Sequence, residues 1–386
     1  MKRFDRSGKK ILAGAMSVAL AGMSLLALGQ NAGNATSGAQ ARPPTPMEQK
    51  GIGYLLAQQD KDGAWLPQVG PAVTAMVVKG LVQSGRPLAD PAVKKGLDFI
   101  ETCRQKDGGY YRDTNPNYNA SIVLSTLAVL PGDAYKGQVA GLQTFLKGLQ
   151  QVDGKKDAKG NAITKANSWY GGSGYGEDRP DLSNTSFFIE ALHDCGITGS
   201  DPAMQKALVF VSRTQMNGET NDQEFAKGVT DGGFIYTPVD GGDSKFGDID
   251  NLDGGSTLRS YGSMTYSGFK SLLYAGLTED DPRVKAAVKW ISNNWTLEYN
   301  PGSGGTLDGQ YYYLHAFAKA MKAYGHDTIT DSKGVKHDWR RELQEFLAAH
   351  QKPDGSWVNE KSPRWLEGNP VLPTAYMVLA LQESRK

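Results

Sequence analysis

A chain of 386 residues, 39% hydrophobic and with 47 glycines, carries enough apolar side chain for a sizeable core joined by glycine-rich connections, which excludes a disordered chain. Its 42 basic and 41 acidic residues are interspersed and leave a formal charge of +1, so the basic footprint of a nucleic-acid binder is missing. Only two cysteines, Cys103 and Cys195, are present, which excludes a disulfide scaffold.

The first element is a targeting segment. Lys2, Arg3, Arg6, Lys9 and Lys10 precede an apolar run over 11–29, and Ala39-Gln40-Ala41 supplies small residues for cleavage. Residues 1–41 therefore read as a signal peptide, with an uncleaved N-terminal anchor as the alternative. Either way, the body 42–386 is expected outside the cytoplasm, periplasmic or extracellular.

From residue 49 onward one unit recurs six times: a helix, a glycine-rich loop with an aromatic, and a second helix. The first unit runs through Gln59-Asp-Lys-Asp-Gly63-Ala-Trp65 to a small, apolar helix over 74–81. The second has a helix over 93–103, the loop Gln105-Lys-Asp-Gly-Gly-Tyr110 and a helix over 120–127. The third pairs 141–149 with Trp169-Tyr-Gly-Gly-Ser-Gly-Tyr175 and a helix from Ser183. The fourth carries an acidic, glycine-rich insertion over 240–255 before a helix from Ser263; its carboxylates suggest a calcium loop, although solvation explains them as well. The fifth joins 283–295 to 311–321, and the sixth joins 339–350 through Gln351-Lys-Pro-Asp-Gly355-Ser-Trp357 to 373–381.

Aligned on the last apolar residue of each second helix, Thr74, Thr185, Thr265 and Thr374 share one position, with Ala120 and Leu314 in the other two units. The second helices are apolar nearly all round and the first carry charged faces, which predicts an inner and an outer layer. The fold expected is all-α: a single α/α toroid of six helical hairpins. Cys103 and Cys195 close helices of different layers, at opposite faces, so both read as small buried thiols without a bridge.

Gln59-x-x-x-Gly63-x-Trp65 and Gln351-x-x-x-Gly355-x-Trp357 resemble the QW repeat of the squalene and terpenoid cyclases, whose α/α toroid is shared with protein prenyltransferase β subunits. The resemblance implies a large apolar or isoprenoid substrate. Those cyclases carry an Asp-x-Asp-Asp-Thr-Ala run whose middle Asp protonates the substrate; the matching residues here are Asp181-Leu-Ser183-Asn184-Thr185-Ser186. Ser183 replaces the central acid, and a hydroxyl is no strong acid toward an alkene. Asp308-Gly-Gln310 and Tyr313-Leu-His315 resemble the zinc-ligand segments of the prenyltransferases, but Gln310 stands where the thiolate belongs, so no metal and no cofactor are expected.

The candidate catalytic residues are Asp181 and His315 as acid or base and Arg259 as an anion partner. The cavity wall is expected from Trp169, Tyr170, Tyr175, Asn184, Tyr261, Tyr266, Asp308, Tyr311, Tyr312, Trp365, Glu367 and Asn369. Consecutive helical residues point about 100° apart, so Tyr311, Tyr312 and Tyr313 cannot all face one cavity. The functional expectation is an exported, monomeric protein acting on an isoprenoid or other large apolar molecule, with peripheral membrane association. The alternatives are a non-catalytic envelope protein that binds a lipid, peptide or glycan, and a secreted polysaccharide lyase.

Overall fold

A computed structural model describes residues 43–250 and 255–385. The expected targeting segment and part of the acidic insertion lie outside the described residues. The six hairpins are α1–α2 (Pro46–Ala57, Ala72–Gln83), α3–α4 (Pro91–Thr102, Pro116–Ala128), α5–α6 (Lys136–Leu149, Leu182–Asp194), α7–α8 (Pro202–Arg213, Gly262–Tyr274), α9–α10 (Pro282–Asn293, Gln310–Tyr324) and α11–α12 (Trp339–His350, Val371–Glu383). Two short antiparallel hairpins that the repeat pattern does not announce decorate them: β1–β2 (Asp248–Asp250, Ser256–Leu258) and β3–β4 (Thr328–Thr330, Lys336–Asp338).

The outer helices announce themselves locally. α1, α3, α7 and α9 open with Thr45, Asp90, Asp201 or Asp281 as N-cap, each side chain accepting from a first-turn amide, followed by proline at the first helical position. The inner helices instead form by burial. α2 packs on α4, α4 on α6, α6 on α8, α8 on α10, α10 on α12, and α12 back on α2, so the inner ring is closed.

Two recurring hydrogen-bond devices hold the ring. In the first, the register threonine at four of the six inner helix starts bonds the loop before it. The amides of Trp65, Ser173, Phe234 and Trp357 donate to the hydroxyls of Thr74, Thr185, Thr265 and Thr374 at 2.9, 3.0, 3.1 and 3.0 Å. In the second, a glutamine at the outer helix end donates both to a glycine carbonyl of its own loop and to the first turn of the next outer helix. Gln59 reaches Gly63 and Ala92, Gln150 reaches Gly171 and Ala203, and Gln215 reaches Gly232 and Arg283. Gln351 reaches Gly355 and, across the closure, Met47 of the first helix, both at 2.9 Å.

Glycine is required in these loops. Gly63 and Gly355 have φ of +87° and +90°, and a Cβ at either would lie 2.4 Å from the carbonyl oxygen of Lys95 or Lys50. Trp65 and Trp357, buried beside them, donate their indole N–H to Leu55 and Leu347 carbonyls.

The thiols of Cys103 and Cys195 are free. Cys103 is buried as expected, whereas Cys195 is only half-buried at the end of α6. No helix among the described residues is long and apolar enough to cross a membrane.

Candidate functional site: the aromatic cup

The repeat register also organises the ring's interior. Two residues before the register position stand Tyr118, Ser183, Ser263, Tyr312 and Leu372; two after it stand Met76, Ile122, Phe187 and Tyr376; five after it stand Lys79, Ser125, Glu190, Lys270, Lys319 and Leu379. Steps of four and three keep these on one helix face, so three layers are stacked along the toroid axis.

The upper layer and the loops above it enclose a cavity of ≈ 270 Å³ at the N-terminal ends of the inner helices. Its wall is aromatic: Tyr118, Phe187, Tyr312 and Tyr376 from the helices, and Tyr175, Tyr236, Phe246, Tyr261 and Trp365 from the loops. The rings support one another, with Phe187 edge-on to Tyr118 at 5.3 Å and Phe246 edge-on to Tyr261 at 4.9 Å. Lys245 is the charged residue of the wall, with its ammonium 4.1 Å from the Tyr236 ring centre and 3.2 Å from Asp243. Trp365 and Leu366 sit at the rim half-exposed, both in the left-handed region at φ 53° and 64°. The Arg364 guanidinium lies 4.5 Å from the Trp365 ring centre and is ion-paired to Asp308 at 2.8 Å.

The converging helix N-termini do not form an open anion cradle, because their first amides have protein acceptors. Ser263 donates to Asn300, Tyr312 to Glu367, Ala72 to Asn119, and Asn184 to Asp181.

Of the expected wall residues, Tyr175, Tyr261, Tyr312 and Trp365 line the cup. Among the three consecutive tyrosines only Tyr312 does. Tyr311 turns back toward the Val358 carbonyl, and Tyr313 donates to Thr296 at 2.6 Å. Tyr266 is fully buried against Tyr313 and Phe317 between hairpins. Trp169 and Tyr170 belong to a separate core with Ile163 and Val239. Asp308 accepts from Ser362 and Arg364, which together hold its carboxyl below the ordinary range. Asn369 caps α12 through the Val371 amide.

Glu367 caps α10 from a distant loop, accepting from the Tyr312 amide at 2.8 Å and from Asn359 at 2.9 Å, and burial pushes its carboxyl up to about 7. Sequence reasoning missed Tyr118, Phe187 and Tyr376, which the register alignment would have found. It also missed Tyr236 and Lys245, which arrive on a loop without periodicity.

The three candidate catalytic residues are not together. Asp181, and not Ser183, is the N-cap of α6; its carboxylate accepts from the Asn184 amide at 2.9 Å and side chain at 2.8 Å, which also removes Asn184 from the wall. Burial pushes the Asp181 carboxyl up to about 6, and Tyr236 and Tyr175 stand between it and the cup. Ser183 is in the wall, bonded to the Tyr312 hydroxyl at 2.8 Å. His315 lies beneath the cup, its ring 4.9 Å from that of Tyr376. Arg259 is on the β2 side of the insertion, donating to the Asp248 carbonyl.

Among the described residues no group of three or more His, Cys, Asp and Glu could hold a metal ion.

The family model of the squalene-hopene cyclase C-terminal domain matches residues 66–238. No curated protein matches by sequence. Among solved structures, an α-amylase from Clostridium perfringens superposes with a TM-score of 0.50 and 11% identity, covering 87% of this chain and 97% of that one. A type II terpene cyclase from Scytonema, in complex with its substrate geranylgeranyl dihydroxybenzoate, does so at 0.49 and 14% identity, covering 88% and 96%. Identities this low speak for the fold alone. By its closed ring of hairpins the chain has the α/α toroid fold, and over the matched segment, which is under half of its length, it is similar to the squalene-hopene cyclases.

Proposed function

We propose that the protein is exported and receives an isoprenoid or comparably large apolar molecule in the aromatic cup. The observation that carries this reading is the cup wall, in which aromatic rings from helices and loops surround one cavity and, among the described residues, the one charged side chain is a lysine. Such a wall suits an apolar chain, and ring faces also accommodate cationic character along it. Export rests on the basic-then-apolar segment that precedes the body.

For chemistry in the cup, Asp181 is the acid we assign, acting past Tyr236. A carboxyl raised to about 6 keeps its proton below about pH 6 and holds it in a minor fraction at neutral pH, which suits protonation of an oxygen such as an epoxide or allylic alcohol rather than a bare alkene. His315 and Arg259 have no part in this reading, because the first lies under the wall and the second outside it.

The test has two steps. Protein purified from its own envelope is extracted and the extract identified by mass spectrometry; an isoprenoid is expected from the wild type and a strongly reduced yield from Tyr312→Ala. An extract that holds a glycan, or the same lipid in equal amount from the variant, defeats the binding reading. The ligand, or its epoxide, is then incubated with wild type and Asp181→Asn. Turnover that survives unchanged in Asp181→Asn removes Asp181 as the acid.

A further inference from the structure

Beneath the cup the axis changes character. Phe187 lines both the cup and a second, small cavity of ≈ 20 Å³, whose polar lining includes Lys79, Ser121, Ser125, Glu190, His315 and Lys319. That is space for one water-sized particle. His315 is 4% exposed, and its Nδ1, itself buried, has no hydrogen-bond partner among the described residues. A buried ring nitrogen without a partner costs on the order of 1–3 kcal/mol, so an occupant is expected where the lining offers it room.

The charges around this cavity select the occupant. Every inner helix contributes. Glu190 of α6 pairs with Lys270 of α8 and with Lys319 of α10. Lys79 of α2 donates to Ser125 of α4 at 2.6 Å and to Asp194 of α6 at 2.8 Å, and Ser125 also bonds Asp194. Glu383 of α12 stands 3.8 Å from Lys319 but is bonded at 2.6 Å to Lys322, which is half-exposed. His193, on the solvent side of Asp194, and Tyr274, near Lys270, complete the groups that face the layer.

With Glu383 assigned to Lys322, the interior holds three ammonium groups, on Lys79, Lys270 and Lys319, against the two carboxylates of Glu190 and Asp194. One positive charge is left over in a buried setting, where an uncompensated charge costs several kcal/mol. The inner helix C-termini offset little of it, because the macrodipole effect fades within the last turn and these lysines stand just before that turn, on side chains that lean toward the helix N-terminus.

We propose that the cavity seats one small inorganic monoanion of halide size, held by Lys79, Lys319 and His315. The anion neutralises the excess charge and accepts a hydrogen bond from a free ammonium hydrogen of Lys79 and of Lys319. It also selects the imidazole tautomer with hydrogen on Nδ1, which turns the unpartnered nitrogen into a donor. Burial already holds His315 well below its ordinary range, with Lys319 adding to the effect, so the neutral ring is the form that donates. This site is independent of the ligand in the cup, from which Phe187 and Tyr376 separate it.

Crystals of the full chain in bromide, recorded at the bromine absorption edge, test the assignment. An anomalous peak in the cavity is expected; a cavity that holds only water, with bromide on the surface alone, overturns it. Independently, the wild type is expected to melt several degrees higher in chloride than in gluconate at matched ionic strength, and Lys79→Gln to melt at the same temperature in both. A wild type indifferent to the anion, or a variant that keeps the full difference, refutes the proposal. The bromide experiment needs no variant, so misfolding of Lys79→Gln would leave it decisive.

Discussion

Gln351→Ala is the perturbation that most directly questions the closed ring. The carboxamide donates to the Gly355 carbonyl within the sixth hairpin and to the Met47 carbonyl of the first, so its removal deletes two hydrogen bonds, one of which spans the closure. At about 1 kcal/mol net for each bond, the expected loss is ~2 kcal/mol, because the side chain is only partly buried and water can reach the freed carbonyls. Gln215→Ala makes the comparison: the same two bonds join neighbouring hairpins there, but the side chain is fully buried, so a cavity is added and the loss should reach ~3 kcal/mol or more. Denaturant melts of both variants, with amide exchange resolved along the chain, measure the effect. In Gln351→Ala, protection should fall in Pro46–Ala57 beyond the general loss. A change within ~0.5 kcal/mol, or exchange in α1 that follows the rest of the ring, would refute the idea that this glutamine fastens the last hairpin to the first.

Three further outcomes follow from the same geometry. Gly63→Ala should cost ~3 kcal/mol or more in a thermal or denaturant melt, because a Cβ lands 2.4 Å from the Lys95 carbonyl oxygen and φ is positive; a cost below 1 kcal/mol would mean that the loop has another conformation. Asp181→Asn keeps a good N-cap and removes a carboxylate whose folded value, about 6, lies above its ordinary 3.8. The wild type therefore loses stability as pH rises from about 4 to about 6 and the variant does not, leaving the variant up to ~3 kcal/mol more stable at pH 7; a parallel pH dependence of both refutes the assignment. Glu190→Gln leaves the Lys270 and Lys319 ammonium groups without their carboxylate and should cost ~3–5 kcal/mol near neutral pH, seen as a lowered denaturation midpoint. Burial opposes ionisation of Glu190, but Lys270 and then Lys319 hold it well below the ordinary range, so its contribution is present above about pH 4.5 and fades only in strong acid. A midpoint unchanged at pH 7 would contradict the pairing.

The fold is legible because its devices are local and repeated. The register threonine recurs in four units because its hydroxyl takes the amide of the glycine-rich loop, and the glutamine recurs in four because it ties one outer helix end to the next. Periodicity even carries the axis layers, for Phe187 and Tyr376 occupy one position of the repeat. The site is less legible because its parts come from loops without a period, such as Tyr236 and Lys245, or do work elsewhere. Asp181 and Glu367 are polar residues near the mouth, and each turns out to cap an inner helix. Asn369 does the same for α12, and Asp308 is bound to Arg364. Composition could not separate these roles, since a carboxylate that caps and one that catalyses are the same letter.

Closure of the inner ring has a consequence for how the chain could be rewired. A linear stack of helix pairs has two ends, and each needs a polar cap to hide an apolar face. Here α12 covers α2 and α1, and Gln382 donates both to Glu48 at 2.9 Å and to the Gly80 carbonyl, so the last hairpin sits against the first as an ordinary neighbour. Arg385 bonds the same Glu48, which brings the two ends of the body to one place. No hairpin is structurally first. A chain whose ends are joined by a short linker and reopened in any inter-hairpin connection keeps every interface of the ring, and the order in which the six pairs are written becomes a matter of inheritance rather than of packing.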